Sequence, residues 1–190
     1  MNSKIIFKKD LITTTWQGGI TTQLYIFPEN SNYLERSFDF RISTAQVNLE
    51  ESQFTTLPNI NRELMILDGS IEIIHESYYS KIMNKFDTDS FKGDWKTYAK
   101  GVCVDFNIMT KANCEGKIEV LCSKSNQKIK VNNLNDFLIL YVYKGEIAIE
   151  LANKNHKLKK GDVFVLKEKE NFEINFINTS EIIVSKIDIK

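Results

Sequence analysis

Two pairs of polar residues are spaced so that each pair can act together. Arg41 and Ser43 are separated by one apolar residue in Phe38-Asp-Phe-Arg-Ile-Ser-Thr44, as are Asp105 and Asn107 in Val102-Cys-Val-Asp-Phe-Asn-Ile-Met109. In an extended chain alternate side chains point the same way, so each pair projects from one side of its strand. Facing into a closed barrel, that side would line a ligand cavity, where a guanidinium makes a two-pronged contact with a carboxylate. Facing outward, the same residues would be the solvated face of an antiparallel sheet. Patterning alone leaves both readings open.

Arg62 falls in phase with Leu64 and Ile66, which points to a partly buried guanidinium in need of an acid, with Asp94 or Asp105 available. That partnership could be purely structural. His75 is in phase with Ile71 and Ile73, either as a hydrogen-bonded barrel residue, the favoured reading, or as a lone ligand. In Thr13-Thr-Thr-Trp-Gln-Gly-Gly-Ile-Thr-Thr-Gln-Leu24, Trp16 could stack over a ligand at a cavity rim or cap a barrel end as core. Gln23 could join the polar cluster after the flexible Gly18-Gly19 corner. A phosphate cradle at these glycines would need a helix N-terminus behind them. The run after the glycines, Ile20-Thr-Thr-Gln-Leu-Tyr-Ile26, is instead β-branched and strand-forming.

The elements that must position these residues are strands. Alternating runs separated by Gly, Asn and Asp turns fill the chain, with no convincing amphipathic helix. Strands are expected at residues 23–27, 62–67, 70–75, 137–143, 146–151, 162–166, 172–177 and 181–187, besides the two runs above. Residues 76–85 are the one place where a short helical or irregular turn is expected, although the capping signals are poor. Leu67-Asp-Gly-Ser-Ile-Glu-Ile73 is echoed by Tyr143-Lys-Gly-Glu-Ile-Ala-Ile149, and Phe91-Lys-Gly-Asp94 by Lys159-Lys-Gly-Asp162. A strand begun at Gly and followed by a Gly-Asp turn is the rhythm of a cupin barrel, and two copies suggest two barrels. The fold class is therefore expected to be all-β, a bicupin with two antiparallel β-barrel or jelly-roll halves packed together, the first larger. Polar turns at Asn113–Gly116 and Ser123–Gln127 put the boundary near 118, giving residues 1–118 and 119–190. Asp94 and Asp162, each after Gly, read as turn acids that bond backbone amides.

In the same order, the chain carries Thr15-Trp-Gln-Gly-Gly-Ile-Thr-Thr-Gln-Leu24, Asp39-Phe-Arg-Ile-Ser-Thr-Ala45, and Phe54-Thr-Thr-Leu-Pro58 with Arg62 and Leu67-Asp-Gly69. Phe91-Lys-Gly-Asp-Trp95 and Gly101-Val-Cys-Val-Asp-Phe-Asn-Ile-Met109 complete the series. On these landmarks the first two-thirds resembles the HutD/Ves family, bicupins associated in part with histidine utilisation. The resemblance implies a bicupin fold and the binding of a small acidic metabolite, N-formylglutamate being the candidate. No catalytic activity comes with it. The commoner family pattern has Asn before three glycines, and Glu after Thr-Arg, where this chain has Gln17, two glycines and Thr22-Gln23.

Metal-dependent cupins use closely spaced His pairs, and no His-x-His exists here. His156 lies among Asn153, Lys154, Asn155 and Lys157 in what should be a solvated turn. Neither a metal nor another cofactor is expected. Cys103, Cys114 and Cys122 fit no zinc or disulfide spacing and read as free thiols. Twenty-five basic and twenty-five acidic residues cancel, removing the field that draws a protein to nucleic acid or an anionic membrane. No apolar run suits a signal peptide or a membrane span, so a cytoplasmic protein is expected.

Three functions compete: a metal-free bicupin binding a small acidic metabolite as a sensor or auxiliary protein; a small-molecule isomerase or hydrolase with Asp105 or His75 as general base; and an interaction protein without ligand. An ionisable group with a shifted pKa beside a substrate-sized space separates the first two, and an interior filled with apolar side chains marks the third. The ligand-binding set is Trp16, Gln23, Arg41, Ser43, Arg62, His75, Asp105 and Asn107. Exposed edge strands make a homodimer an expectation.

Overall fold

The computed structural model describes residues 3–190, so the first two residues of the expected first barrel lie outside the described residues. Strands account for the architecture, and among the described residues there is no α-helix, only one turn of 3-10 helix at Lys8–Asp10. In chain order the strands are β1 (Ser3–Ile6), β2 (Ile12–Trp16), β3 (Gly19–Phe27), β4 (Phe40–Val47), β5 (Glu51–Gln53), β6 (Asn61–Gly69), β7 (Ile71–His75), β8 (Tyr79–Met83), β9 (Thr88–Lys92), β10 (Thr97–Lys100) and β11 (Cys103–Thr110). The remainder are β12 (Cys114–Ser123), β13 (Lys128–Asn132), β14 (Phe137–Lys144), β15 (Glu146–Leu151), β16 (Lys154–Lys159), β17 (Val163–Leu166), β18 (Asn171–Phe176) and β19 (Ser180–Ile189).

The chain divides into two compact units. The first, Ile12–Gly116 with the terminal Lys190, contains a six-stranded sheet in the order β2-β3-β4-β11-β6-β9 and a four-stranded sheet β5-β10-β7-β8. Leu64 and Ile66 of β6, Ile71 and Ile73 of β7, and Phe91 of β9 are buried together as part of its core. The second unit, residues 3–11 with Lys117–Ile189, has a five-stranded sheet β1-β17-β14-β19-β12 and a four-stranded sheet β13-β18-β15-β16. Leu138, Leu140, Phe164, Phe172, Ile174 and Val184 are part of its hydrophobic core, and Asn175 Oδ1 and Ser185 Oγ are buried in this unit without a hydrogen-bond partner.

Residues 3–11, expected in the first barrel, thus belong with the second unit. β1 pairs antiparallel with β17, Ser3 opposite Leu166, and the Lys8 backbone N–H donates to Asp162 Oδ1 at 2.9 Å. Asp162 also accepts from the Lys159 N–H at 3.0 Å, the role of a turn acid. Residue 118, where the boundary is expected, lies inside β12, and the division between the units falls between Gly116 and Lys117 of the same strand.

The sequence repeat marks equivalent joints. Gly69 at the end of β6 has φ +81° and Gly145 between β14 and β15 has φ +86°, a left-handed conformation that costs other residues strain. A Cβ there would also stand 2.5 Å from the Val102 carbonyl oxygen or 2.2 Å from Ser180 Oγ. The turn expected within residues 76–85 is instead a hairpin. β8 pairs with β7 in register His75 opposite Tyr79, and Ser77 at φ +68° makes the turn. Alternation decides this, because Met83 is fully buried whereas Ile82 is 70% exposed.

Candidate functional site

Register brings the polar residues of the first unit onto one face of the six-stranded sheet. Gln23 of β3 lies opposite Ser43 of β4, Ser43 opposite Asn107 of β11, and Asn107 opposite Leu64 of β6. The neighbouring row runs from Arg41 through Met109 to Arg62 and on to Phe91 of β9. Asp105 stands opposite Ala45 and Ile66. Because Leu64, Ile66 and Phe91 belong to the core between the two sheets, this shared face is the inward one. Arg41, Ser43, Arg62, Asp105 and Asn107 are all buried, so the reading of these residues as a solvated face does not hold.

Arg41 is held on three sides. Its Nε donates to Gln23 Oε1 at 2.9 Å, one terminal nitrogen donates to Ser43 Oγ at 3.1 Å, and the guanidinium lies 4.3 Å from the centre of the Tyr33 ring. Arg62 is held by aromatic faces, 4.7 Å from Phe54 and 5.2 Å from Phe91, while its Nε is buried without a hydrogen-bond partner. Asn107 Oδ1 is likewise buried and unpaired. Buried polar groups normally find partners, so an unpaired donor and acceptor on one interior face leave hydrogen-bonding capacity open there.

Burial lowers the pKa of Arg41 from its ordinary value and brings that of Arg62 down to about 10, the Asp105 charge opposing the latter shift. Both remain cations at neutral pH. Burial pushes Asp105 up to about 7, against the pull of Arg62 and of the Ala45 backbone N–H. The cluster therefore holds two guanidiniums against one carboxyl that ionises only near neutrality, a net positive charge. Asp94, the other acid considered for Arg62, is exposed.

His75 belongs to a separate knot in the same interior. Its Nδ1 is 2.8 Å from Thr97 Oγ1 and its Nε2 is 2.7 Å from Asp89 Oδ2, with the ring 4.6 Å from Phe91 and 5.3 Å from Trp95. Asp89 also accepts from Tyr79 at 2.9 Å and pairs with Lys81 at 2.6 Å. Both imidazole nitrogens are engaged, which makes His75 the hydrogen-bonded barrel residue and leaves it no lone pair for a substrate. Trp16 also stands apart. It closes the β2–β3 hairpin opposite Gly19, its indole N–H donates to Thr21 at 3.2 Å, and its ring occupies the place of a Gly18 Cβ, which would lie 2.0 Å from Cζ3.

Tyr33, Phe54 and Phe91 join the arginine cluster, and Asp89 and Thr97 the His75 knot, without having been singled out by spacing. Phe54 and Phe91 sit inside the sequence landmarks, but only the β6–β9 register sets Phe91 opposite Arg62. An open depression of about 410 Å³, lined by residues that include Gln53, Ile74, Tyr98 and Lys100, lies on the β5, β7 and β10 strands and contains none of the cluster residues. None of its polar lining residues is buried. Among the described residues no three His, Cys, Asp or Glu side chains are placed to hold a metal ion, and no helix is long and apolar enough to cross a membrane.

Two antiparallel jelly-roll units in one chain define a protein of the cupin class. Across 99% of this chain and 100% of the other, the fold matches PA5104 from Pseudomonas aeruginosa PAO1, a conserved protein of unknown function, at TM-score 0.85 and 16% identity. It also matches HutD from Pseudomonas fluorescens SBW25, solved in a formate condition, at TM-score 0.74 and 14% identity over 99% of both chains. A cupin 2 conserved barrel domain protein from Leptotrichia buccalis matches at TM-score 0.59 and 15% identity, covering 98% and 96%. The HutD family model matches residues 8–184, and the chain belongs to the HutD family. No match to a curated protein was found.

Proposed function

We propose that the first unit binds a small acidic metabolite in its interior, and that the protein acts as a cytoplasmic sensor or auxiliary factor rather than as a catalyst. The observation that carries this reading is the buried, hydrogen-bond-free Nε of Arg62 on the same face as the unpaired Oδ1 of Asn107. Arg41 and Arg62 supply charge for carboxylates, and Asn107 supplies an acceptor for an N–H or O–H. An N-formylated amino diacid such as N-formylglutamate presents both chemistries. Both buried arginines, Arg41 and Arg62, lie in the first unit, which supports one ligand per chain. Membership of the HutD family, for which the sequence resemblance implies a small acidic ligand, supports the same ligand class.

Titrating N-formylglutamate at several pH values tests this. Asp105 has a folded-state pKa of about 7, raised from an ordinary 3.8, so it is neutral below that pH and adds a competing negative charge above it. Affinity should be highest on the acid side of neutrality and fall by up to about tenfold per pH unit above pH ~7. Asp105→Asn should flatten the profile; a steep fall persisting in that variant would remove Asp105 from the site. Without ligand the sign is that of any acid with a raised pKa. The folded form holds a proton that the unfolded chain releases above about pH 4, so this group's contribution to stability declines as pH rises towards 7.

One observation favours an enzyme as a second reading: a buried carboxyl poised near neutrality is the form a general base takes. Consumption of the bound amide, followed by NMR and lost in Asp105→Asn, would select it.

A further inference from the structure

Eight strands lie at the edges of the four sheets, and seven of them, β1, β5, β8, β9, β12, β13 and β16, contain at least one Lys, Asp or Glu. Charge on an edge is the usual protection against pairing with another chain. β2 is the exception. Its sequence, Ile12-Thr-Thr-Thr-Trp16, has no charge, no proline and no glycine, and all five of its residues are exposed. Two of its side chains bond back onto β3, Thr13 Oγ1 with Thr22 Oγ1 at 3.1 Å and the Trp16 indole N–H to Thr21 Oγ1 at 3.2 Å. The outer side of β2 therefore offers an ordered main-chain edge flanked by apolar groups, with Ile12 at 66% and Trp16 at 40% exposure.

We propose that β2 is the interface of a homodimer, pairing antiparallel with β2 of a second copy about a two-fold axis at Thr14. The sequence is complementary to itself in that register. Ile12 of each copy faces Trp16 of the other on one side of the sheet, Thr13 faces Thr15 on the other side, and no like charges meet. A peptide partner would need no such symmetry. The two six-stranded sheets become one continuous sheet, because an axis perpendicular to the sheet keeps corresponding faces on the same side. Since Ile12 lies opposite Gln23, which bonds Arg41, the pairing also joins the two polar interiors through the β2 and β3 strands of each copy.

Sedimentation and light scattering at micromolar concentration should give about twice the 22.0 kDa chain mass. Thr14→Lys, which sets like charges on the axis, should return the chain to a monomer with unchanged circular dichroism. Ser90→Lys, on the already charged opposite edge of the same sheet, should not. Thr14→Cys in a Cys122→Ser background should oxidise to a covalent dimer, since residues on the axis lie within disulfide reach, while Thr88→Cys should stay monomeric on denaturing gels. A wild-type monomer throughout the range, leaving the edge to an extended segment of some other protein, would overturn the proposal. So would a dimer that is indifferent to Thr14→Lys and forms no cross-link in Thr14→Cys.

Discussion

Replacing Arg41 with alanine abolishes the thermal stabilisation given by N-formylglutamate while the ligand-free protein stays folded. Truncating one partner of a desolvated charge pair costs about 2 kcal/mol or more, at least about thirtyfold in affinity. Without ligand the change is mild for an electrostatic reason: Arg36 and Arg62 carry like charges whose repulsion with Arg41 the truncation relieves. Arg41→Lys should restore little, because an ammonium cannot reproduce a fork that bonds Gln23, Ser43 and a carboxylate together. Melting curves with and without ligand, supported by circular dichroism, check this. Full ligand stabilisation in Arg41→Ala would remove the residue from the site.

The second large effect is on stability. Asp89→Ala leaves His75, Tyr79 and Lys81 without their shared acceptor in an interior where His75 is 1% exposed. Losing one member of a buried charged network costs about 3–5 kcal/mol, which for a chain of this length lowers Tm by roughly 6–20 °C. Asp89 also ties the two sheets of the first unit together, reaching from β9 to His75 on β7, whose ring packs on the Phe91 ring beneath Arg62. Asp89→Asn keeps an acceptor for the imidazole and should lose less. A drop in Tm below about 2 °C for Asp89→Ala would show that the knot contributes little.

Much of the architecture is legible in the sequence because strands announce themselves by period and turns by glycine. Gly69 and Gly145 can be matched in the sequence because both joints need a backbone that glycine adopts cheaply. The phase of Arg62 with Leu64 and Ile66, and the pairing of Asp105 with Asn107 on one face, can also be read directly. Alternation cannot say which face is inside. At the centre of the six-stranded sheet β11 is buried on both sides, Phe106 and Ile108 as fully as Asp105 and Asn107, so the contrast between wet and dry faces on which such readings depend is absent there.

The other losses are long-range. Thr97, Asp89 and His75 come from three strands, and nothing local to any one of them names its partners. The placement of residues 3–11 rests on contacts such as that between Lys8 and Asp162, 154 positions away in sequence. Trp16 reads as a rim residue because an aromatic beside two glycines suggests an overhang. The ring instead fills the space that Gly18 leaves open, and the indole N–H is spent within its own hairpin. Aromatic faces under guanidiniums, such as Tyr33 under Arg41, escape motif reading because any aromatic side chain serves and no spacing is required.

The central claim is that the first unit alone holds an acidic ligand between Arg41, Arg62 and Asn107. Isothermal titration of the wild-type chain with N-formylglutamate near pH ~6.5 measures it most directly, since Asp105 is then largely neutral. The predicted result is saturable binding at one ligand per chain, absent in Arg62→Met. No heat of binding from N-formylglutamate or from simple dicarboxylates, or undiminished binding by Arg62→Met, would contradict it.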